Sequence, residues 1–335
     1  MAINENGKKA DERDYRGWIN FRPEIKVFDC TVRDGGLMND HYFDDQFIKN
    51  VYETCVAAGI DYMELGYKAD KKIYSPSQFG SWKFCDEKTI RKIVGENNSG
   101  LKLAAMADAE RTDYNTDILP REQSILDMIR VATYIHQIPT AIDMINDAHD
   151  KGYETTVNLM AVSIVGEREL DAALEALIQT PAGTIYLVDS FGSLYSEQIQ
   201  YLIKKYLKFA GSAGKQVGIH CHNNQQLAYS NTIAALIEGA SMLDATIDGM
   251  GRGAGNCPLE LLIGFLHNPK FHVRPVLNCI QEHIRPLKKN LNWGYEIPYM
   301  ITGQLNQHPR TAIKFQASEN PNDYVGFYDS IMEEE

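Results

Sequence analysis

A chain of 335 residues, 44% hydrophobic and 10% aromatic, is long enough to bury one large core, and α/β barrels reach this size as a single domain. Its formal net charge of -12 argues against a nucleic-acid surface, because phosphate binding needs clustered Lys and Arg that the sequence does not contain. No apolar run approaches the ~18 residues of a membrane span, and the six cysteines (Cys30, Cys55, Cys85, Cys221, Cys257, Cys279) show neither CxxC pairs nor disulfide-like spacing, which suits free thiols in a reducing cytoplasm.

Residues 1–24 are polar and charged, lack the apolar stretch of a secretory leader, and read as an extension ahead of the first strand. Residues 25–29 read as strand one and 44–58 as a helix with Phe47, Ile48, Val51, Cys55 and Val56 on its buried stripe. Strand two covers 62–65. The irregular, aromatic stretch 67–84 follows, placed to shape specificity, and a helix begins at Asp86. Strands three and four cover 101–106 and 128–133, the latter followed by a helix at 140–149. Strand five (154–160) leads to a helix at 167–178, and strand six (184–188) to a helix at 196–209. His220 and His222 close strand seven ahead of a helix at 225–238; strand eight spans 242–247, with a helix at 258–266. About eight βα units in about 240 residues predict a (β/α)8 barrel over 25–270, followed by a short C-terminal helical or lid segment at 271–335. A doubly wound sheet is the alternative, but Gly249-Met250-Gly251-Arg252-Gly253 lacks the dinucleotide spacing and the acidic partner downstream.

Chemistry concentrates in Gln216-Val217-Gly218-Ile219-His220-Cys221-His222-Asn223-Asn224. Successive side chains of a strand face opposite ways, so His220 and His222 share a face. Two neutral imidazoles one strand-step apart can hold a divalent ion but need a carboxylate from elsewhere, and the best candidate lies in Val27-Phe28-Asp29-Cys30-Thr31-Val32-Arg33-Asp34-Gly35-Gly36. In a barrel the C-terminal ends of the strands surround the active site. That rule gathers Arg33 and Asp34 after strand one, Glu64 at the end of strand two, Asn158 at strand five and Asp189-Ser190 after strand six. It adds the two histidines of strand seven, and Asp248 with Asn256 after strand eight. The same alternation points Cys30 and Cys221 away from the site as packing residues.

Three segments together, Asp29-Cys30-Thr31-Val32-Arg33-Asp34-Gly35, His220-Cys221-His222-Asn223 and Gly249-Met250-Gly251-Arg252-Gly253-Ala254-Gly255-Asn256, resemble the DRE-TIM metallolyase superfamily. That superfamily includes 3-hydroxy-3-methylglutaryl-CoA lyase, isopropylmalate and homocitrate synthases, and 4-hydroxy-2-oxovalerate aldolase. The likeness is greatest to the aldolases, whose tail is echoed in Trp293-Gly294-Tyr295-Glu296-Ile297-Pro298-Tyr299 and His308-Pro309-Arg310-Thr311-Ala312. It implies a TIM barrel in which Asp34, His220 and His222 bind a divalent ion, Mn2+ or Mg2+, with Asn256 at or next to it. Arg33 then steadies an enolate oxygen, and Asn158, Asp189 and Ser190 are the further expected substrate contacts. The implied reaction makes or cleaves a C–C bond of a 4-hydroxy-2-oxo acid through a metal-bound pyruvate-type enolate, with a small 2-oxo acid and an aldehyde as partners.

The aldolases carry a His three residues after the metal aspartate, where this chain has Leu37. Proton transfer is therefore left open among Glu64, His41, Tyr299 and His308, with Tyr299 alternatively an aromatic lid. Other readings are a Claisen-type synthase using an acyl-CoA, a binding protein of the same fold, and a two-His, one-carboxylate iron oxygenase. The resemblance also implies a homo-oligomer, while the cysteine usage points to the cytoplasm and the charge and hydropathy to no nucleic-acid or membrane partner.

Overall fold

Each short apolar run of the sequence becomes a parallel strand, and each longer periodic stretch a helix laid against its outer face. The structure, a computed structural model, describes residues 22–333, so most of the expected extension at 1–24 lies outside the described residues. The strands are β1 (Lys26–Asp29), β2 (Tyr62–Tyr67), β3 (Lys102–Asp108), β4 (Met128–Thr133), β5 (Glu154–Leu159), β6 (Thr184–Asp189), β7 (Gln216–Cys221) and β8 (Met242–Ala245). Each pairs in parallel with the next, and β8 pairs with β1 to close the barrel. The expected (β/α)8 architecture is thus present, with β3 running to Asp108, beyond the expected end at Met106.

Alternation along the strands divides the apolar residues between two cores. Val27, Ile129 and Ile219 face outward against helix residues such as Ile48, Met144 and Ile203, whereas Phe28, Tyr62, Tyr186 and Val188 fill the barrel. Helix Asp45–Ala58 shows the sorting by period: Phe47, Ile48, Val51, Cys55 and Ala58 are buried, and Asp44 caps the first turn by accepting from the Phe47 amide at 2.7 Å. Val56, expected on the buried stripe, lies 38% exposed, because five residues after Val51 the helix has turned it off the inner face.

The barrel interior also holds a charge. Arg130, fully buried on β4, is sandwiched between the rings of Phe28 and Tyr186, with its guanidinium carbon 4.4 and 4.5 Å from their centroids. Cys30 lies beside it, Nη1 to Sγ 3.4 Å, so Cys30 points into the barrel rather than away from the site. The reason is the phase of β1: Phe28 and Cys30 face in, and the chain leaves the strand for a helical turn at Thr31 before Arg33 and Asp34, which escape the alternation. Cys221 does face the outer core.

Beyond the barrel, helices Ile297–Gln304, Arg310–Gln316 and Tyr324–Met332 cluster through Tyr299, Ile301, Ala312, Phe327 and Ile331 against Ala254 of the glycine-rich loop after β8. Among the described residues no helix is long and apolar enough to cross a membrane.

Gly218 faces the barrel interior two residues before His220, where an added Cβ would lie 2.5 Å from Cε1 of the buried Tyr186 ring. Gly218→Ala is expected to lower stability by ~1–3 kcal/mol, the usual effect of overpacking. Urea unfolding measures it, and a wild-type midpoint would mean that the Tyr186 ring moves aside freely.

Candidate active site

The helical turn Thr31–Gly35 is anchored from both sides. Thr31 Oγ1 donates to Asp29 Oδ2 at 2.5 Å and accepts from the Ile247 amide at 2.8 Å, tying the end of β1 to the turn after β8. Asp29 therefore holds the strand end, and the turn it holds projects Arg33 and Asp34 over the barrel mouth.

From there a closed ring of buried ionisable groups runs through the barrel. Asp34 Oδ2 accepts from Arg33 Nη1 at 2.5 Å, and Arg33 Nε donates to Glu64 Oε2 at 2.7 Å. Glu64 Oε2 is 3.2 Å from Arg130 Nη1, and Arg130 Nη2 donates to Asp244 Oδ2 at 2.7 Å. Asp244 Oδ2 lies 2.9 Å from His220 Nδ1, and His220 Nε2 lies 3.5 Å from Asp34 Oδ2.

This ring defines the state of each member. Asp244 is acceptor to His220 Nδ1–H, so the lone pair of a neutral His220 sits on Nε2, opposite an oxygen of Asp34. Nε2 is buried and has no hydrogen-bond partner among the described residues, so the gap calls for a positive charge between the two atoms. Burial works against charge on Asp34, but Arg33, His222 and His220 outweigh it and hold the carboxyl well below its ordinary range. Burial likewise disfavours charge on His220, yet the neighbouring carboxylates of Asp244 and Asp34 prevail and move it upward. For His222 burial wins, and the ring is pushed down to about 3, a neutral imidazole with a lone pair to offer.

Asp34, His220 and His222 each place a ligand atom within 4.8 Å of the others, all three buried. The donor set of one carboxylate and two imidazoles fits a divalent cation. Asn256 borders it: a Cβ on Gly251 would lie 2.8 Å from Asp34 Oδ1 and 2.1 Å from Asn256 Nδ2, so only glycine lets the loop pass so close. Asn256 Nδ2 donates to the Met250 carbonyl, and Oδ1 is buried without a partner among the described residues.

Arg33, Asp34, His220 and His222 open on a cavity of about 210 Å³ at the C-terminal end of the barrel, bordered also by Asn158 and Ser190. Other expected positions lie off its wall. Glu64 is buried between Arg33 and Arg130, where it steadies both guanidiniums instead of reaching the cavity. Asp189 accepts from the amides of Ser193 and Leu194 and pins the turn after β6; burial raises its carboxyl to about 7. Tyr299 packs beneath Gly253 in the C-terminal cluster. His41, expected on a loop facing the mouth or in water, is 1% exposed, edge-on to Tyr67 with ring centroids 5.3 Å apart, and neither ring nitrogen has a partner among the described residues. Of the four expected proton-transfer positions, only His308 borders the cavity.

Sequence reasoning missed several wall residues. Tyr67 ends β2, and Tyr74 and Lys83 come from the irregular stretch after it, to which the sequence assigns a role but no named residue. Asp108 ends β3 and obeys the strand-end rule once the strand is given its full length, and Arg111 follows it. Arg252, from the glycine-rich loop, donates its amide to Asp34 Oδ1 at 3.3 Å and also borders the cavity.

Comparison with known proteins bears on this geometry. The HMGL-like family description matches residues 24–283. The chain is 30% identical to a 4-hydroxy-2-oxovalerate aldolase of Pelotomaculum thermopropionicum over 257 residues, 75% of this chain and 72% of that one. It is 29% identical to an oxaloacetate decarboxylase of Mycobacterium tuberculosis over 244 residues, 72% and 69% of the two chains. Among solved structures, the N-terminal domain of a candidate aldolase from Bacteroides vulgatus superposes with a TM-score of 0.76 at 30% identity, covering 88% of this chain and 98% of that domain.

Asp244→Asn removes the charge that fixes the His220 ring and is expected to weaken Mn2+ binding by ~10–100-fold, the usual effect of losing a carboxylate behind a ligand histidine. Titration calorimetry reads this directly, and an unchanged affinity would mean that the ring is held by other contacts. Burial pushes His41 from 6.5 down to about 3, so the unfolded chain takes up a proton that the folded chain refuses. This contribution to stability is complete above pH 6.5 and is lost as pH falls toward about 3. His41→Leu is expected to flatten that part of the curve of urea midpoint against pH; a slope as steep as wild type would contradict the buried, neutral state.

Proposed function

The chain belongs to the HMGL-like family, and from that premise we propose that it is a divalent-cation-dependent carbon–carbon lyase acting on 4-hydroxy-2-oxo acids, the activity named in its aldolase relative. The observation that carries this reading is the convergence on one cavity of Asp34, His220 and His222 with a guanidinium, Arg33, already fixed by two carboxylates. Asp34, His220 and His222 would hold Mn2+ or Mg2+, and Asn256 Oδ1 is a further oxygen beside them. When bound, the ion supplies Lewis-acid polarisation of the 2-oxo acid's ketone.

The chain's own residues account for the remaining steps. Arg33 bonds Glu64 through Nε and Asp34 through Nη1, which leaves Nη2 to donate to the ketone oxygen as charge gathers there. Because both anchors are buried, the guanidinium needs no reorganisation when that charge forms. Ser190 Oγ accepts from the Ala161 amide at 2.8 Å, so its own proton is free for the substrate carboxylate, with Asn158 beside it on the wall. In the cleavage direction the C4 hydroxyl gives its proton to solvent at the open mouth of the cavity, the C3–C4 bond breaks to release an aldehyde, and the electron pair settles on the ketone oxygen as pyruvate enolate, which later takes a proton back from the same solvent. Protonation at C3 completes pyruvate. His308 Nδ1 accepts from the Arg310 amide at 3.0 Å, and burial holds the ring at about 4, so the neutral imidazole offers Nε2–H to the aldehyde oxygen.

A second reading has its own support. Leu37 puts an apolar side chain on the cavity wall where the aldolases carry a histidine, and a decarboxylation of oxaloacetate reaches the same pyruvate enolate with no hydroxyl proton to remove. Pyruvate release with Mn2+, from 4-hydroxy-2-oxovalerate and from oxaloacetate in parallel, separates the two readings. The aldolase reading expects turnover of the former, abolished by a chelator, and a fall in kcat of ~10²–10³-fold for Arg33→Ala. No pyruvate from 4-hydroxy-2-oxo acids, whether 4-hydroxy-2-oxovalerate or longer and charged ones, or an Arg33→Ala variant keeping more than about a tenth of wild-type kcat, would overturn it.

A further inference from the structure

The cavity has a second end that the proposed chemistry does not use. Leu37, Tyr67, Tyr74 and Phe79 join one apolar cluster with Met106 and Met160, and Lys83 enters it from the segment Ser81–Lys83. The Lys83 ammonium lies 4.3 Å from the ring centroids of both Tyr67 and Tyr74, and the side chain is buried. Among the described residues no carboxylate lies within salt-bridge distance of it and no acceptor receives a hydrogen bond from it. The aromatic faces support a positive charge but accept none of its three protons. Arg111, from the loop after β3, borders the same cavity, its charge opposing that of Lys83, while Asp108 is the acidic neighbour of both.

The charge of the whole cavity points the same way. Setting Arg33 against Asp34, the wall carries Lys83, Arg111, Arg252 and Arg310 against Asp108, an excess of three positive charges. This stands inside a chain whose formal net charge is -12. A 2-oxo acid carboxylate answers only part of that excess, and it belongs at the Arg33 end.

We propose that the apolar arm ending in Lys83 and Arg111 binds an anionic group at the far end of the acceptor aldehyde, so that the substrate is a 4-hydroxy-2-oxo acid with a terminal carboxylate or phosphate. Leu37, Met106 and the tyrosine rings contact the intervening carbons, and the ammonium of Lys83 with the guanidinium of Arg111 meets the anion. The proposal rests on the lyase reading for the word substrate, but the anion site itself does not. Phosphate and carboxylate share this chemistry, and the test separates them.

Titration calorimetry on the metal-free full chain with glycerol 3-phosphate, glutarate and glycerol reads the site without turnover. At least one anion is expected to bind measurably where glycerol does not, and Lys83→Met to weaken that binding by ~10-fold or more, the value of a charge-assisted hydrogen bond. Tighter glycerol 3-phosphate identifies a phosphate ester, and tighter glutarate a carboxylate. Arg111→Gln, at an exposed position, gives a second reading if Lys83→Met does not fold, with a loss of about threefold or more expected. In the condensation of pyruvate, wild type is expected to favour succinic semialdehyde or glycolaldehyde phosphate over butanal in kcat/KM, and Lys83→Met to shrink that ratio by ~10-fold. Anion binding without aldol turnover would uphold the site while the lyase reading fails. No binding of either anion, or binding unaltered in whichever of the two variants folds, overturns the proposal.

Discussion

The structure depends on a buried loop of ionic contacts, Asp34–Arg33–Glu64–Arg130–Asp244–His220 and back to Asp34. Its members come from β2, β4, β7, β8 and the turn after β1, so one set of contacts across the barrel interior fixes the relative height of five of its parts. Three carboxylates face two guanidiniums, and a neutral His220 leaves the loop one charge short at the gap between Nε2 and Asp34. That is where His222 arrives, and a cation there would satisfy what the protein leaves open. Removing one member would strand a charge in the barrel, a change that typically costs about 3–5 kcal/mol. Stability and site geometry therefore have the same source.

The two histidines also show how position sets chemistry. They lie on one face with ring centroids 5.0 Å apart, yet burial leaves His222 neutral while Asp244 and Asp34 draw His220 toward charge. The carboxylate behind His220 makes it the stronger donor, and His222, without one, the weaker of the pair. Arg33 is held in the same manner, by anions on two sides, so its remaining nitrogen is presented to the cavity at a fixed angle.

Much of this was legible from residues alone. The eight strands follow from β-branched, alternating runs, and once they close a barrel the strand-end rule brings Asp34, His220 and His222 to one mouth. Arg130 was hidden because it sits mid-strand in an apolar run, and its partner Asp244 lies 114 residues away. Nothing in a linear pattern reveals such a pairing. Lys83 was missed for a different reason: it lies in a segment with no period, so no rule assigned it a face. His41 and Tyr299 lie off the cavity wall, and no linear pattern shows this, because their burial is decided by what packs on them, the Tyr67 ring and the Gly253 loop. Cys30 was misdirected by one step, since Arg33 and Asp34 had left the strand on which its phase was counted.

The cation gap is most directly tested by anomalous diffraction from crystals of the chain soaked with Mn2+ and oxalate, a planar mimic of pyruvate enolate. One Mn2+ peak is predicted between the Asp34 carboxylate and the rings of His220 and His222, with Arg33 Nη2 donating to an oxalate oxygen. A peak at another position, or none between these three side chains at saturating Mn2+, would contradict it.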